Sequence, residues 1–215
     1  PLVGFFISFI FTLAFNYSIE GKQRRFIKSA FSQYLSPTVI ETLISEPNQL
    51  KLGGERREIS IYFSDVQGFT TISEKLAETP EKLSEVLNKY LSSMTEIILE
   101  TGGTIDKYEG DAIIAFWNAP LSQENHAERA LTAAIRCQQK LQEIRDELEQ
   151  MCGKKIYQRI GLNTGFAVVG NMGSQSRFDY TMLGDAVNLA SRFEGLSKQF
   201  GTYTMCSAVT MEQYK

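Results

Sequence analysis

Apolar residues alternate at Ile59, Ile61 and Phe63 within Ile59-Ser-Ile-Tyr-Phe-Ser-Asp65-Val-Gln-Gly68-Phe69-Thr70, a period of two that predicts a half-buried strand. Asp65 continues that inward parity. A carboxylate desolvated there is costly unless it has a cation or strong donors beside it, although capping the next helix is an alternative use for it. Gly68-Phe69-Thr70 opens a helix to about Ala77, and Thr79-Pro80 restarts a longer one to about Glu100. The second helix buries Leu83, Val86, Leu87, Tyr90, Leu91, Met94 and Ile98 on one face, and Gly102-Gly103 ends it.

Two short strands follow, Thr104–Tyr108 and Asp111–Trp117, with Glu109-Gly110 as the turn of a hairpin. The second strand is apolar on both faces and so reads as central. A helix from about Asn125 to Gln150 turns Ala130, Leu131, Ala134, Ile135, Leu141 and Ile144 inward, and its charged positions form a solvated face. Strands near Ile156–Asn163, Ala167–Gly170 and Phe178–Met182 precede a helix over about Asp185–Lys198 and a last strand at Tyr203–Cys206. Long helices against a sheet containing a hairpin define an α+β fold, antiparallel-rich and flanked by helices, not a doubly wound parallel sheet. The chain shows no internal repeat and no low-complexity tract.

The first part of the chain differs in character. Leu2 to Phe15 is almost wholly apolar, broken only by Ser8 and Thr12. As a helix this stretch rises about 21 Å against a hydrocarbon core of ~30 Å, so it is either the end of a truncated membrane span or a buried helix. Lys22, Arg24, Arg25 and Lys28 follow directly, which favours the cytoplasmic end of a span. A signal peptide fits badly, with no basic segment before the stretch and no cleavage site after it. Phe26, Ile27, Ala30, Phe31, Tyr34 and Leu35 then form a short helical stripe, broken at Ser36-Pro37 and followed by a brief helix through Val39, Ile40, Leu43 and Ile44. Glu46-Pro47-Asn48 and Gly53-Gly54 form a hinge. The predicted organisation is residues 1–19 as the end of a membrane helix, 20–52 as a helical linker that transmits a signal, and 53–215 as the globular domain on the cytoplasmic side.

Composition narrows the chemistry. The 215 residues carry a formal net charge of -3 and are 43% hydrophobic, ordinary globular values without the basic footprint of a nucleic-acid binder. Cys137, Cys152 and Cys206 are widely spaced and read as free thiols of a reducing compartment. With His126 the single histidine, a Ser-His triad or a His-based metal site is nearly excluded. Metal chemistry would fall to carboxylates, which points to magnesium or manganese.

Three stretches carry candidate chemistry. Asp65 at a strand tip, beside a helix N-terminus at Phe69 and Thr70, suits a metal-bound polyphosphate. In the hairpin, Lys107 pairs with Ala112 and Tyr108 with Asp111, so Lys107 and Asp111 point to opposite sides of the sheet. One site could hardly use both from a single subunit, whereas two sites between two subunits could. In Thr181-Met-Leu-Gly184-Asp185-Ala-Val-Asn188-Leu-Ala-Ser-Arg192, Asp185 is placed to cap the helix. Asn188 and Arg192, four apart, share one helical face, with Thr181 aimed near the same place. An Arg and an Asn above a strand tip suit a phosphoryl group and a sugar, though a plain exposed polar stripe has the same spacing.

Phe63-Ser-Asp65-Val-Gln-Gly68-Phe69-Thr70, Gly102-Gly103…Asp106-Lys107-Tyr108-Glu109-Gly110-Asp111…Ala115-Phe116 and Tyr180-Thr181…Gly184-Asp185-Ala-Val-Asn188-Leu-Ala-Ser-Arg192 occur in this order over Glu58 to about Tyr214. Together they resemble the motifs of the class III nucleotide cyclases. The resemblance implies a ferredoxin-like α+β core that works as a wreath-shaped homodimer with shared sites. It implies that Asp65 and Asp111 bind two Mg²⁺ or Mn²⁺ ions and that Lys107 and Thr181 read the purine. Asn188 and Arg192 would orient the ribose and stabilise the transition state, and Arg159 would contact the triphosphate. Lysine donates to adenine N1, an acceptor only in adenine, whereas relatives that make cyclic GMP tend to carry an acidic residue and a cysteine at these two places. Lys107 with Thr181 thus favours ATP, in the manner of a mostly bacterial, membrane-anchored subgroup. The implied reaction is in-line attack of the 3′-hydroxyl of ATP on the α-phosphorus, giving 3′,5′-cyclic AMP and pyrophosphate. Arg192 from a second subunit would act as arginine fingers do, worth on the order of 10³–10⁵ in rate. The resemblance also implies a further hairpin beyond Lys215 whose lysine contacts the triphosphate. Two alternatives stand beside this reading: a guanylate cyclase, and a non-catalytic module for dimerisation or nucleotide sensing.

Overall fold

The computed structural model describes Ile40, residues 54–174 and residues 177–214. The membrane-span, linker-stripe and hinge expectations fall on residues 1–54 and lie outside the described residues, except for the helical Ile40 and for Gly54, which is not a hinge residue but the start of a strand, paired with Gly170. Among the described residues no helix is long and apolar enough to cross a membrane.

From Gly54 the chain runs β1 (Gly54–Val66), α1 (Phe69–Lys75), α2 (Pro80–Glu100), β2 (Thr104–Glu109), β3 (Ala112–Trp117), α3 (His126–Cys152), β4 (Gln158–Ser174), β5 (Arg177–Leu183), α4 (Asp185–Phe200), β6 (Thr204–Cys206) and α5 (Ala208–Glu212). The strands form one sheet in the order β2-β3-β1-β4-β5, with β6 joining β4 as its one parallel neighbour. The first four strands with their intervening helices make the βαββαβ pattern, in the spatial order 2-3-1-4 of a ferredoxin-like core. That agrees with the α+β expectation.

β1 is buried on both faces, which is more than its alternation alone suggested. Tyr62 and Val66 belong to the larger core, closed by Tyr90, Met94 and Ile98 of α2 and by Ala130, Ala134, Cys137 and Leu141 of α3. On the opposite face Ile59 and Ile61 pack with Ile114 and Phe116 of β3, Ala167 and Val169 of β4, and Ala190 of α4. Each such large side chain, taken fully from water, contributes roughly 1.5–3 kcal/mol. Tyr180 of β5 sits against Phe116 with ring centroids 6.0 Å apart, so the β4–β5 hairpin folds back over this second face. The fold thereby brings β5, at one end of the strand order, to β2 at the other.

Helix α4 lies directly on β4, and glycine is what lets it. A Cβ at Gly161 would stand 2.2 Å from the backbone oxygen of Ala190 and 2.3 Å from the backbone nitrogen of Glu194. Four residues on and on the same face, a Cβ at Gly165 would stand 3.1 Å from Ala186 Cβ. Asn163, between them, donates through Nδ2 to Ala186 O at 2.9 Å.

Several boundaries depart from the sequence reading. Thr164-Gly165 does not end a strand: Ile156–Asn163 and Ala167–Gly170 are parts of one continuous β4, in which Gly165 stays extended opposite Ile59. The turn of the β2–β3 hairpin is Gly110-Asp111, because Glu109 pairs with Ala112 and Tyr108 with Ile113. Gly110 takes the positive φ of 66° that a two-residue hairpin demands at its first position. Ile135 is 52% exposed, one position off the buried stripe of α3 that runs through Ala127, Ala130, Ala134, Cys137 and Leu141. Gly184, not Asp185, stands at the N-cap of α4, which leaves Asp185 in the first turn where its charge still favours the dipole. The helix α5 was not anticipated.

His126 is structural. Its Nδ1 meets Ser60 Oγ at 2.8 Å, Ser60 meets Thr164 Oγ1 at 2.8 Å, and Thr210 donates to Thr164 at 3.0 Å, a buried line of hydroxyls tying α3, the sheet and α5. Burial pushes the His126 pKa below its ordinary value.

Candidate active site

Two groups of polar side chains stand on the sheet, and a third lines the exposed side of α4. The first lies where β1 ends. Asp65 is paired in register with Arg159 of β4. Arg159 Nη2 donates to Asp65 Oδ2 at 3.0 Å, and its Nε donates to Glu194 Oε1 of α4 at 2.8 Å. Asp111, in the hairpin turn, accepts from the backbone N–H of Val66 at 3.0 Å through Oδ2. Its carboxyl is pushed up to about 6, by burial first and by the charge of Asp65 second, while the N–H groups of Val66 and Asp111 itself act the other way. The corner thus holds three carboxylates against one guanidinium. Asp65 is not a helix cap, since α1 begins after Gly68, whose backbone is left-handed.

Asp65 and Asp111 fit a hard divalent cation. Two oxygen-donor carboxylates repel each other enough to raise one pKa, and a cation between them removes that penalty. Among the described residues no group of three or more His, Cys, Asp or Glu converges as a metal cage. Such a pair therefore leaves coordination positions for water and substrate phosphates, the usual state of magnesium.

The second group joins β2 to β5. Lys107 Nζ donates to Thr181 Oγ1 at 3.4 Å. Thr181 Oγ1 in turn donates to Asp106 Oδ2 at 2.7 Å, and Lys107 Nζ lies 3.0 Å from Asp106 Oδ1. Asp106 is the extra residue of a bulge: Ile105 pairs with Ala115 and Lys107 with Ile114, which leaves Asp106 without a partner on β3. A bulge directs neighbouring side chains together that a regular strand would separate. Burial raises the Asp106 pKa above the ordinary carboxylate value, while Thr181 and Lys107 hold it back. The register differs by two residues from the one expected, so the facing is unchanged. Lys107 engages Thr181 while Asp111 engages Val66, in separate groups.

On α4, Asn188 and Arg192 are exposed on the side away from buried Ala190. Neither makes a hydrogen bond or ion pair among the described residues, so both are free to meet something outside the chain. Phe69 packs partly buried against the larger core and Thr70 is exposed, so Thr70 is the more accessible of these two candidates.

The structure adds Asp106 and Glu194 to the residues read from sequence. Both stand inside the quoted motifs or two positions beyond. No periodicity marks them, because Asp106 is aimed by a bulge and Glu194 by a register between β4 and α4.

Residues 54–210 match the family profile described as the Adenylate and Guanylate cyclase catalytic domain. The chain is 40% identical over 182 residues to an adenylate cyclase of Anabaena cylindrica, covering 82% of this chain and 34% of that protein. Among solved structures, the guanylyl cyclase Cya2 superposes with a TM-score of 0.69 at 38% identity, over 76% of this chain and 81% of that one. The adenylyl cyclase CyaB from P. aeruginosa gives 0.69 at 35% identity, over 75% and 82%. The chain belongs to the adenylate and guanylate cyclase catalytic domain family. It spans about a third of the length of the Anabaena cylindrica enzyme and a smaller share of some other relatives it matches.

Proposed function

We propose that this domain is an adenylate cyclase that converts ATP to 3′,5′-cyclic AMP and pyrophosphate at sites shared between two copies. The observation that carries the choice of base is the contact of Lys107 Nζ with Thr181 Oγ1 at 3.4 Å. An ammonium donor beside a hydroxyl oxygen complements adenine, which offers an acceptor at N1 and a donor at N6.

Asp65 and Asp111 would hold two Mg²⁺ or Mn²⁺ ions together with the triphosphate. Bound there, the metal supplies Lewis-acid charge that acidifies the 3′-hydroxyl and offsets charge on the departing pyrophosphate. Arg159 keeps the Asp65 carboxylate aimed and would contact the triphosphate. Asn188 and Arg192, exposed on α4, serve the site of the partner copy by orienting the ribose and neutralising the transition state. One chain carries both halves, so a homodimer makes two equivalent sites. Residues 1–19 fit the end of a membrane span and 20–52 a signal-transmitting linker, which would anchor the domain at the cytoplasmic face of a membrane.

A second reading, guanylate cyclase, draws support from the match to Cya2. Assaying the chain, and a form extended beyond Lys215, with Mn²⁺ and either ATP or GTP separates the readings. Cyclic AMP and pyrophosphate from ATP are expected. Product from GTP alone overturns the base assignment, and nucleotide binding without pyrophosphate release identifies a non-catalytic module.

A further inference from the structure

We infer that Asp106 is a specificity-determining positioning residue: it claims the hydroxyl proton of Thr181 and so presents Thr181 to the purine as an acceptor only. This rests on the adenylate cyclase reading above and extends it to a residue that touches no substrate.

The argument begins with the proton count. A threonine hydroxyl has one proton and two lone pairs, and left alone it rotates to donate or accept as its partner requires. Such a residue cannot tell the 6-amino group of adenine, a donor, from the 6-oxo group of guanine or hypoxanthine, an acceptor. Here the proton has a fixed destination. Thr181 Oγ1 donates to Asp106 Oδ2 at 2.7 Å, a short bond to a carboxylate that is only 3% exposed. Hydrogen bonds to a charged acceptor are about twice as strong as neutral ones, and a purine carbonyl would have to outbid this one. The Thr181 oxygen then faces outward with a lone pair alone.

Lys107 is fixed by the same carboxylate. Its Nζ forms an ion pair with Asp106 Oδ1 at 3.0 Å and donates to Thr181 Oγ1 at 3.4 Å, which leaves N–H capacity to donate outward. The pair therefore offers one donor beside one acceptor, the complement of adenine N1 and N6. A 6-oxopurine with N1–H meets acceptor against acceptor and donor against donor. The bulge at Asp106 is what makes this possible, because in a regular strand its side chain would point away from Lys107 and Thr181.

The test compares ATP with ITP, which differs from ATP only at the 6-position and N1, by pyrophosphate release in the wild type and in three variants. Asp106→Asn puts an amide where the carboxylate was; its Nδ2 can donate to Thr181 and free the hydroxyl proton. The ratio of kcat/KM for ATP to that for ITP is expected to fall about tenfold or more, chiefly through KM. Thr181→Val keeps the shape without the hydroxyl. ATP should lose about tenfold while ITP holds or improves, because a repelling oxygen has gone. In Asp106→Asn/Thr181→Val the Asp106 change should lower the ratio much less than it does with Thr181 intact, the remainder acting through Lys107, the mark of a residue that acts through others.

An unchanged ratio in folded Asp106→Asn overturns the inference. So does Thr181→Val losing ITP and ATP alike, an outcome readable even where Asp106→Asn does not fold. A wild type that cyclises neither nucleotide overturns the adenylate cyclase reading instead, so the two failures are distinct.

Discussion

Arg159 holds Asp65 directly across the β1–β4 pair, Nη2 to Oδ2 at 3.0 Å, and the same guanidinium clasps Glu194 of α4 at 2.8 Å. One side chain thus joins the strand that carries a candidate metal ligand to the helix that carries Asn188 and Arg192. Arg159 is 14% exposed, so its charge is substantially desolvated and its removal leaves two carboxylates facing each other. Arg159→Met should cost about 2–4 kcal/mol of stability, somewhat below a fully buried pair because Asp65 keeps contact with solvent. Urea denaturation reads this directly. Glu194→Gln, which removes one partner and leaves the Asp65 bond, should cost less; an Arg159→Met protein as stable as the wild type would contradict the bridging role.

Asp111 makes an opposite claim, because its charge opposes folding. Its carboxyl titrates at about 6 in the folded chain, raised by burial and by Asp65, against an ordinary value near 3.9 when unfolded. The folded state therefore binds more protons across that window. Stability of the metal-free protein falls as pH rises from about 4 to about 6 and then levels off. Asp111→Asn should stabilise the metal-free domain at pH 7.5 by about 1–2 kcal/mol, after discounting for the solvent that reaches the group, and the gain should vanish near pH 4. Unfolding in chelator at the two pH values tests the sign. The same variant should lose cyclase activity, the pattern of a group kept for function at the expense of stability.

Much of this was readable in advance. The βαββαβ order and the α2 stripe follow from periodicity, which rests on local spacing, while the association of Lys107 with Thr181 comes from the family resemblance. What escaped depends on how separate elements meet. The turn at Gly110-Asp111 was placed one residue early because Glu109-Gly110 and Gly110-Asp111 both satisfy turn chemistry. β4 was split because an isolated glycine reads as a break, whereas Gly165 is small to admit Ala186. Asp106 is given no role by the sequence, because nothing local announces a bulge. The face assignment of Lys107 survived its register error because a slip of two residues restores the parity.

Gly161 sets the seat of α4. A methyl group there would stand 2.2 Å from a backbone oxygen and 2.3 Å from a backbone nitrogen, neither of which can turn aside as a side-chain tip can. Gly161→Ala should lower stability by about 1–3 kcal/mol as α4 shifts outward. Activity should fall further than stability explains, since the displaced helix carries Glu194, Asn188 and Arg192. Gly165→Ala, whose neighbour at 3.1 Å is a methyl group, should be milder on both counts. Comparing the two variants by thermal unfolding and by turnover at a temperature where both are folded checks the order.

The exposed position of Arg192, with no partner in its own chain among the described residues, leads to the last expectation. If it completes the site of a neighbouring copy, Arg192→Ala should lower kcat by orders of magnitude while leaving ATP binding within a few-fold. Asp65→Ala should be inactive for a different reason, since it removes the carboxylate on the other half. In a mixture of the two inactive proteins, mixed dimers pair an intact Asp65 of one copy with an intact Arg192 of the other. Random pairing makes half the dimers mixed, each with one good site of two, so about a quarter of wild-type activity should return. The recovered rate should vary with total protein concentration as the dimer forms. A mixture that stays inactive while analytical ultracentrifugation shows mixed dimers would place Arg192 in its own subunit's chemistry, or in none.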